Sequence, residues 1–252
     1  MTEQFLPIPH LPSGQVTCVL ASDVKQPVIR ALQSSHIRVL ATEPLYGVSG
    51  AECCHADMAV CHLHGAVWWT AKQLSATVKE LLQQEGCLLT ETQQPVTAEC
   101  PSLNICILDG KVFACPKTTD PLLLTTLQSS GKRCLTVRQR YTKCSMAVVS
   151  AHAVITADTT IEKACYHTGI DVLKISPGHI ALDGYAYGFI GGCCGLLSPD
   201  CLAFSGRIEQ HPDYQAMKAF ARNHGVSLLS LTDDPLYDIG GILPVKQTVT
   251  GP

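Results

Sequence analysis

Cys144 has the sequence setting of a reactive thiol. It follows Lys143 and opens an apolar, strand-like run at residues 145–149. A neighbouring ammonium group lowers the pKa of a thiol and so increases the fraction present as nucleophilic thiolate. A structural role is the alternative, because the chain has 14 cysteines and a free cysteine in an apolar strand behaves as a small hydrophobe. Cys144 is our first candidate for a catalytic nucleophile.

His179 is the candidate catalytic partner of this thiol. It follows a Pro-Gly pair in a loop just beyond a predicted strand, and such loops often carry functional residues. Histidine can act as a base towards a thiol or as a polar ligand for substrate. Capping of nearby backbone groups is the alternative role. His211 lies at the predicted start of a helix, where the following Pro212 and Asp213 are typical of a helix N-terminus.

Asp57 and Asp238 are the acidic residues best placed to bind a cation, because carboxylates bind planar cations through paired hydrogen bonds. Each opens a predicted strand, where aspartate is also a common turn cap. Gly191 and Gly192 lie in a glycine-rich segment that lacks the Lys-Ser/Thr pair of a phosphate-binding loop. We expect them to let the backbone approach a small ligand closely.

Cysteine and histidine residues also cluster between positions 53 and 64, which raises the possibility of a zinc site. Their spacing does not match the usual pairing of C-x₂₋₄-C with H-x₃₋₅-H. Cys61 and His62 are neighbours in a predicted strand and would point to opposite faces of it. We therefore predict no metal and no cofactor.

A repeated pattern of secondary structure positions these residues. The order strand–strand–helix–strand occurs four times, at residues 57–90, 103–137, 145–175 and 188–231. Asp109-Gly110 separates two apolar runs and is a strong hairpin signal. Residues 16–41 form a β-α-β unit that lacks the first strand, and residues 235–245 carry one more strand with no helix after it.

This repeat predicts an α/β fold of five ββαβ modules arranged as a propeller, because a period of about 40–45 residues indicates a propeller or an array. A doubly wound sheet is the alternative, but hairpins before the helices exclude a wholly parallel sheet. The C-terminal strand is expected to complete the first module. We expect one domain over residues 16–252, preceded by an extended segment at residues 1–15.

Composition limits the classes of partner. The net charge is −3 with only 18 lysines and arginines, so no basic surface is expected to attract nucleic acid. No apolar run approaches the roughly 20 residues that span a membrane, and the N-terminus lacks the features of a secretory signal. We predict a cytoplasmic monomer or homodimer with reduced cysteines and a small-molecule ligand.

The segments YTKCS, ISPGHI, YGFIGGCCG, HPDY and DIGGILP resemble an uncharacterised bacterial protein family. The order of strands and helices over residues 16–245 is similar to the pentein fold, the α-β propeller of arginine deiminases, dimethylarginine hydrolases and amidinotransferases. This resemblance implies an axial pocket in which a cysteine attacks the carbon of a guanidinium group.

The chain departs from the pentein pattern at its two main catalytic positions. The pentein cysteine lies on the last inner strand, near residues 240–243 here, where this chain has no cysteine. The pentein His-x-Asp pair opens the inner strand of a middle module, and the best match here is Lys143-Cys144-Ser145. Arginine deiminase activity of the usual kind is therefore not expected.

Closure of the ring would bring the starts of the inner strands together around the axis. By alignment of the repeats, these positions are Asp57, Asn104, Cys144, residues 188–192 and Asp238. We predict that Cys144 and His179 are catalytic and that Asp57, Asn104, Gly191, Gly192 and Asp238 bind substrate. The expected function is cysteine-dependent chemistry on a guanidino-like or amide substrate. The alternative is a non-catalytic binding module, like the ribosome anti-association factor with this fold.

Overall fold

The computed structural model describes residues 2–166 and 168–249. The described strands, in chain order, are β1 (Thr2–Phe5), β2 (Gln15–Ser22), β3 (Arg38–Thr42), β4 (Val60–His64), β5 (Val67–Thr70), β6 (Leu88–Glu91), β7 (Cys106–Leu108), β8 (Lys111–Ala114), β9 (Arg133–Thr136), β10 (Ala147–Ser150), β11 (Ala153–Thr156), β12 (Asp171–Lys174), β13 (Cys194–Ser198), β14 (Cys201–Phe204), β15 (Ser227–Ser230) and β16 (Leu243–Val249).

Short helices connect these strands. They are α1 (Gln26–Ser34), α2 (Ala56–Ala59), α3 (Ala76–Gln84), α4 (Pro121–Ser129), α5 (Thr159–Cys165) and α6 (Tyr214–Asn223). Three 3-10 helices lie at Ala51–Cys54, Ile190–Cys193 and Ile208–Gln210. Side chains cap several helix N-termini: Ser75 accepts from the third residue of α3, and Asp120 and Asp158 each accept from two backbone N–H groups of α4 and α5.

The strands form five small sheets, which confirms the predicted repeat. In four of them an antiparallel hairpin is followed by a helix and a parallel outer strand, as in the order β4-β5-β6. The remaining sheet has the order β1-β16-β2-β3. Here β16 pairs antiparallel with β2 and takes the place of the missing first strand, as predicted for the C-terminal strand.

The N-terminal segment joins the first sheet, whereas the sequence interpretation places it ahead of the domain. Residues Thr2–Phe5 form β1, which pairs antiparallel with β16 and adds a fourth strand to the first sheet. Gln247 is buried and its Oε1 accepts hydrogen bonds from the backbone N–H groups of Ser13 and Gly14. Both ends of the described chain are therefore held by the same sheet.

Most inner strands begin later than the sequence pattern predicts. The predicted strand at residues 57–63 is helix α2 followed by β4, and the predicted strand at 188–195 begins as the 3-10 helix Ile190–Cys193. Likewise β16 begins at Leu243, because Gly240 and Gly241 have φ of 74° and 86°, values incompatible with a strand. Turns and single helical turns therefore precede the inner strands.

Apolar side chains of the hairpins pack beneath the helices of each module, and Trp68, Phe113 and Phe204 are fully buried. All fourteen cysteines are free thiols, and nine of them are buried. Among the described helices, none combines the length and apolar character needed to cross a membrane.

Candidate functional site

A closed circuit of hydrogen bonds joins the five segments that precede the inner strands. Asp57 donates its backbone N–H to the carbonyl of Gly240 (3.2 Å), and Gly241 donates to the carbonyl of Gly192 (2.8 Å). Gly192 donates to the carbonyl of Cys144 (2.9 Å).

Asn104 completes this circuit. Its Oδ1 accepts from the backbone N–H of Cys144 (3.2 Å), and its Nδ2 donates to the carbonyl of Asp57 (3.3 Å). The five modules thus bring residues far apart in sequence into one buried cluster. The predicted convergence of the inner-strand starts is present in the structure.

The Cys144 thiol lies at the centre of this cluster and is 1% exposed. Its Sγ donates to Asp57 Oδ2 at 2.7 Å, and Asn104 Nδ2 lies 3.7 Å from the same sulfur. Asn104 Oδ1 also accepts from the backbone N–H of Lys143 at 2.8 Å. The backbone that carries the thiol is therefore held by the side chain of a different module.

Burial raises the pKa of Cys144 well above its ordinary value, and the carboxylates of Asp57 and Asp238 raise it further. Lys143 lowers the pKa of Cys144 only in part. Its Nζ donates to the carbonyl of Gly191 at 3.0 Å. Burial and two carboxylates therefore outweigh the ammonium group of Lys143, contrary to the expectation that Lys143 alone would lower the pKa of the thiol.

Asp57 accepts the thiol proton in a hydrogen bond and is itself 1% exposed. Burial raises its pKa to about 6, although His55 and Lys143 act in the opposite direction. Because this value is close to neutrality, the Asp57 carboxylate can exchange a proton with its surroundings near physiological pH. Its Oδ1 is buried with no hydrogen-bond partner among the described residues.

His55 and Asp238 form a second buried pair beside the thiol, with His55 Nδ1 3.7 Å from Asp238 Oδ1. Asp238 is held by backbone groups, because its Oδ2 accepts from Phe189 N (2.9 Å) and its Oδ1 from Gly240 N (3.0 Å). His55 Nε2 is buried and lacks a hydrogen-bond partner among the described residues. A substrate atom can therefore accept a proton from it or donate one to it.

Glycines make this close packing possible. A Cβ at Gly192 would lie 2.0 Å from Asp238 Oδ1, and a Cβ at Gly240 would lie 2.3 Å from the Cβ of His55. A Cβ at Gly191 would meet the carbonyl of Lys143 at 2.4 Å. We expected Gly191 and Gly192 to lie against a ligand, but the structure places protein groups against them instead.

A cavity of about 220 Å³ opens in front of the thiol. Its polar lining includes Glu52, His55, Cys144 and Asp238, and its remaining walls are largely aromatic or apolar. The lining residues are Glu52, His55, Gln139, Arg140, Tyr141, Cys144, Leu182, Tyr185, Tyr187, Phe189 and Asp238. A nucleophile, an imidazole and two carboxylates thus share one small-molecule-sized space.

Some of the predicted site residues line this cavity, and others hold the thiol from behind. Cys144 and Asp238 line the cavity, whereas Asp57 and Asn104 lie behind the thiol and hold it. His179 is exposed and absent from the lining, and its ring lies edge-on to the His211 ring with centroids 5.1 Å apart. The structure places His55, not His179, beside Cys144.

His55 and Glu52 are the main residues that the sequence interpretation missed. His55 directly precedes α2, the helix that leads into the second inner strand. Its position two residues before Asp57 could have identified it from the sequence as a candidate site residue. The sequence interpretation groups His55 with the nearby cysteines and histidines. His62 of that group lies elsewhere, stacked on Trp68 with ring centroids 4.2 Å apart.

The side chains of His55, Cys144 and Asp238 could also hold a metal ion, since one ligand atom of each lies within 4.8 Å of the others. Imidazole, thiolate and carboxylate are all zinc ligands. In the described structure, however, the thiol donates to Asp57 and both Asp238 oxygens accept backbone N–H groups. Cys144 and Asp238 are therefore already engaged in other interactions, whereas His55 Nε2 has no hydrogen-bond partner among the described residues.

Comparison with known proteins gives a family and a fold. Residues 19–243 match the model of a protein family described as "Family of unknown function (DUF6873)". No curated protein sequence matches the chain.

Solved structures with the same fold have little sequence similarity to this chain. SxtG, an amidinotransferase from Microseira wollei in the saxitoxin biosynthetic pathway, is 9% identical with a TM-score of 0.59, covering 97% of this chain and 98% of that one. An inosamine-phosphate amidinotransferase from Streptomyces griseus is 11% identical with a TM-score of 0.57, covering 98% of both chains.

DDAH from Pseudomonas aeruginosa, solved as a Cys-to-Ser mutant complexed with citrulline, is 11% identical with a TM-score of 0.53. That match covers 87% of this chain and 93% of the DDAH chain. These likenesses confirm the predicted pentein-like fold. At such low identity they establish the fold alone.

Proposed function

The chain belongs to the DUF6873 family of unknown function, and we propose that it is an enzyme in which Cys144 attacks the guanidinium or amidinium carbon of a small molecule. The observation that carries this proposal is the position of the Cys144 thiol. It donates to Asp57 and shares a cavity with His55 and Asp238. The pentein-like fold supports the proposal, because its solved neighbours include two amidinotransferases.

The charge of the site favours a cationic substrate. Asp238 and Glu52 line the cavity and Asp57 lies directly behind the thiol, so three carboxylates face the two cationic side chains, Arg140 and Lys143. These carboxylates raise the cost of forming a thiolate when no cationic ligand is bound. A bound planar cation would lower the pKa of the Cys144 thiol, because an opposite charge within about 4–6 Å favours the ionised form of a group. Substrate binding and thiol activation are therefore coupled by electrostatics.

The first half of the reaction forms a covalent intermediate. Asp57 Oδ2 takes the proton from Cys144 Sγ, and the thiolate forms a C–S bond to the substrate carbon. The resulting tetrahedral adduct expels an amine or ammonia as the C–N bond breaks, and His55 supplies the proton to the leaving nitrogen. The product of this half is an amidino group bound to Cys144 through sulfur.

The second half releases that group with water. His55 removes a proton from water, the hydroxide adds to the same carbon, and the C–S bond breaks. Asp57 returns its proton to the sulfur. The net reaction is hydrolysis of a guanidino group to a urea, or of an amidino group to an amide, with release of an amine or ammonia and no redox change. Transfer of the amidino group to an amine in place of water would use the same groups.

The covalent intermediate gives a direct test. The protein would be incubated with simple alkylguanidines, quenched in acid and analysed by intact-mass and peptide mass spectrometry. We expect an amidino adduct on Cys144 and release of ammonia or amine. Cys144→Ser should give neither. A chelator control separates this chemistry from the metal interpretation, because treatment with chelator should leave the adduct yield unchanged.

The alternative of a non-catalytic binding module predicts a different result. Alkylguanidines would then bind without an adduct on Cys144 and without release of any product. Loss of the adduct after treatment with chelator, and its return on addition of Zn²⁺, would instead support a metal centre formed by His55, Cys144 and Asp238.

A further inference from the structure

The buried carboxylate of Glu52 is only half satisfied. Glu52 lies in the 3-10 helix Ala51–Cys54, is 2% exposed and lines the same cavity as Cys144. Its Oε1 accepts a hydrogen bond from the Tyr185 hydroxyl. Its Oε2 is buried without a hydrogen-bond partner in the described part of the chain. A buried carboxylate oxygen without a partner is costly, so a donor group on a ligand would be stabilised there.

The surroundings of Glu52 hold this oxygen in place. Gly50 has φ of 94°, and a Cβ at this position would lie 2.8 Å from Glu52 Oε2. The hydrogen bond to Glu52 raises the pKa of Tyr185 to about 12, so the tyrosine hydroxyl stays protonated and keeps donating to Oε1 at neutral pH. The carboxylate is thus fixed through one oxygen, which leaves the other for a ligand.

The rest of the cavity suits an apolar linker better than an anionic group. The rings of Tyr141 and Phe189 stack with centroids 6.1 Å apart, and Leu182 also lines the cavity. Arg140 is the arginine of this lining, and its Nη1 donates to the carbonyl of Glu99 at 2.9 Å. The cavity therefore combines aromatic surface with carboxylates at two separate places, Glu52 and Asp238, and with the guanidinium of Arg140, which is held by the Glu99 carbonyl.

We propose that Glu52 binds a second positive charge of the substrate through Oε2. This inference rests on the proposed function at Cys144 and defines its substrate class. The substrate carries a guanidino or amidino group that reaches the thiol, a short apolar linker that packs on Tyr141 and Phe189, and an ammonium group that donates to Glu52. A substrate with a carboxylate at the distal end would be repelled by Glu52.

Three related guanidines test this proposal, each with a four-carbon chain: butylguanidine, aminobutylguanidine and guanidinobutanoate. Their tails are neutral, cationic and anionic. The measurement is the concentration of each compound that protects Cys144 from alkylation by chloroacetamidine, followed by peptide mass spectrometry. We expect aminobutylguanidine to protect at concentrations about tenfold or more below butylguanidine, as for one charge-assisted hydrogen bond. Guanidinobutanoate should protect least.

Glu52→Gln should bring the ratio between aminobutylguanidine and butylguanidine close to one. Glu43→Gln, which changes an exposed glutamate of the same connection, should keep the wild-type ratio and controls for the charge change. Equal protection by the two compounds in the wild type, or a preference that survives in Glu52→Gln, would overturn the inference while leaving the proposed function intact. If no guanidine protects Cys144, the proposed function fails and this inference fails with it.

Discussion

Cys144 Sγ lies 2.7 Å from Asp57 Oδ2, although the two residues are 87 positions apart and belong to different modules. The module between them contributes Asn104, which binds the backbone of both. Burial raises the pKa of both partners, so the resting state is a protonated thiol beside a carboxylate that titrates near pH 6. Activation of this thiol therefore requires a change in its electrostatic surroundings, and under the proposed function a bound cation supplies that change.

The raised pKa of Asp57 predicts a specific pH dependence of stability. A carboxyl group whose folded-state pKa exceeds its unfolded value stabilises the fold at low pH and loses that contribution as pH rises. For Asp57 the loss occurs between its ordinary pKa of 3.8 and about 6. We expect Asp57→Asn to remove this pH dependence. As pH rises through this window, the free energy of unfolding of the wild type should therefore fall by about 3 kcal/mol relative to that of Asp57→Asn. Urea unfolding at several pH values measures the difference, and a constant difference would contradict the assigned pKa.

Asn104 is predicted to be a positioning residue for the thiol. Asn104→Ala leaves the buried backbone N–H groups of Lys143 and Cys144 without their acceptor, which we expect to cost about 1–3 kcal/mol of stability. Asn104→Ala should also lower the alkylation rate of Cys144 by chloroacetamidine, because the backbone that carries the thiol is no longer held. Equal rates in Asn104→Ala and the wild type would show that Asn104 does not position the thiol.

Gly192→Ala is predicted to disrupt the site by steric overlap. The added Cβ would lie 2.0 Å from Asp238 Oδ1, so the carboxylate or the backbone must move. We expect a loss of about 1–3 kcal/mol or more in the free energy of unfolding, together with loss of Cys144 reactivity. Gly169→Ala is the control. Gly169 has φ of 73° and no neighbour near the added Cβ, so only backbone strain of about 1–2 kcal/mol is expected. Reactivity lost equally in both variants would argue against the steric explanation.

The role of β16 in closing the first module predicts the effect of a C-terminal truncation. Removal of the chain after residue 242 would leave β2 without its antiparallel partner and β1 without any partner. An exposed strand edge promotes aggregation, so we expect loss of cooperative thermal unfolding and formation of large species by analytical ultracentrifugation. A monodisperse truncated protein that melts cooperatively would show that β16 is dispensable.

Local sequence patterns were sufficient to predict the repeated modules. Hairpin turns such as Asp109-Gly110 and helices ended by glycines such as Gly169 have local physical signatures that do not depend on the rest of the fold. The same repeats placed Asp57, Asn104, Cys144 and Asp238 at equivalent positions, which is why the sequence predicted that they converge.

The details of the site were less predictable, because they depend on contacts between modules. The pattern at residues 57–63 is that of a strand, yet its first residues form α2, and Asp57 donates its backbone N–H to the carbonyl of Gly240 in another module. The direction of a loop side chain such as that of His179 has no periodic signal. The raised pKa of Cys144 comes from burial and from carboxylates distant in sequence, whereas the sequence offered only its neighbour Lys143.

The most direct test of the proposed chemistry compares two alkylating agents of nearly the same shape, cationic chloroacetamidine and neutral chloroacetamide. Peptide mass spectrometry gives the rate of labelling at Cys144, with the partly exposed Cys201 as an internal reference. If the site binds a planar cation and activates the thiol through it, Cys144 reacts at least about tenfold faster with chloroacetamidine after normalisation to Cys201. Equal normalised rates, or no labelling of Cys144 by either reagent in the folded protein, would contradict the proposal.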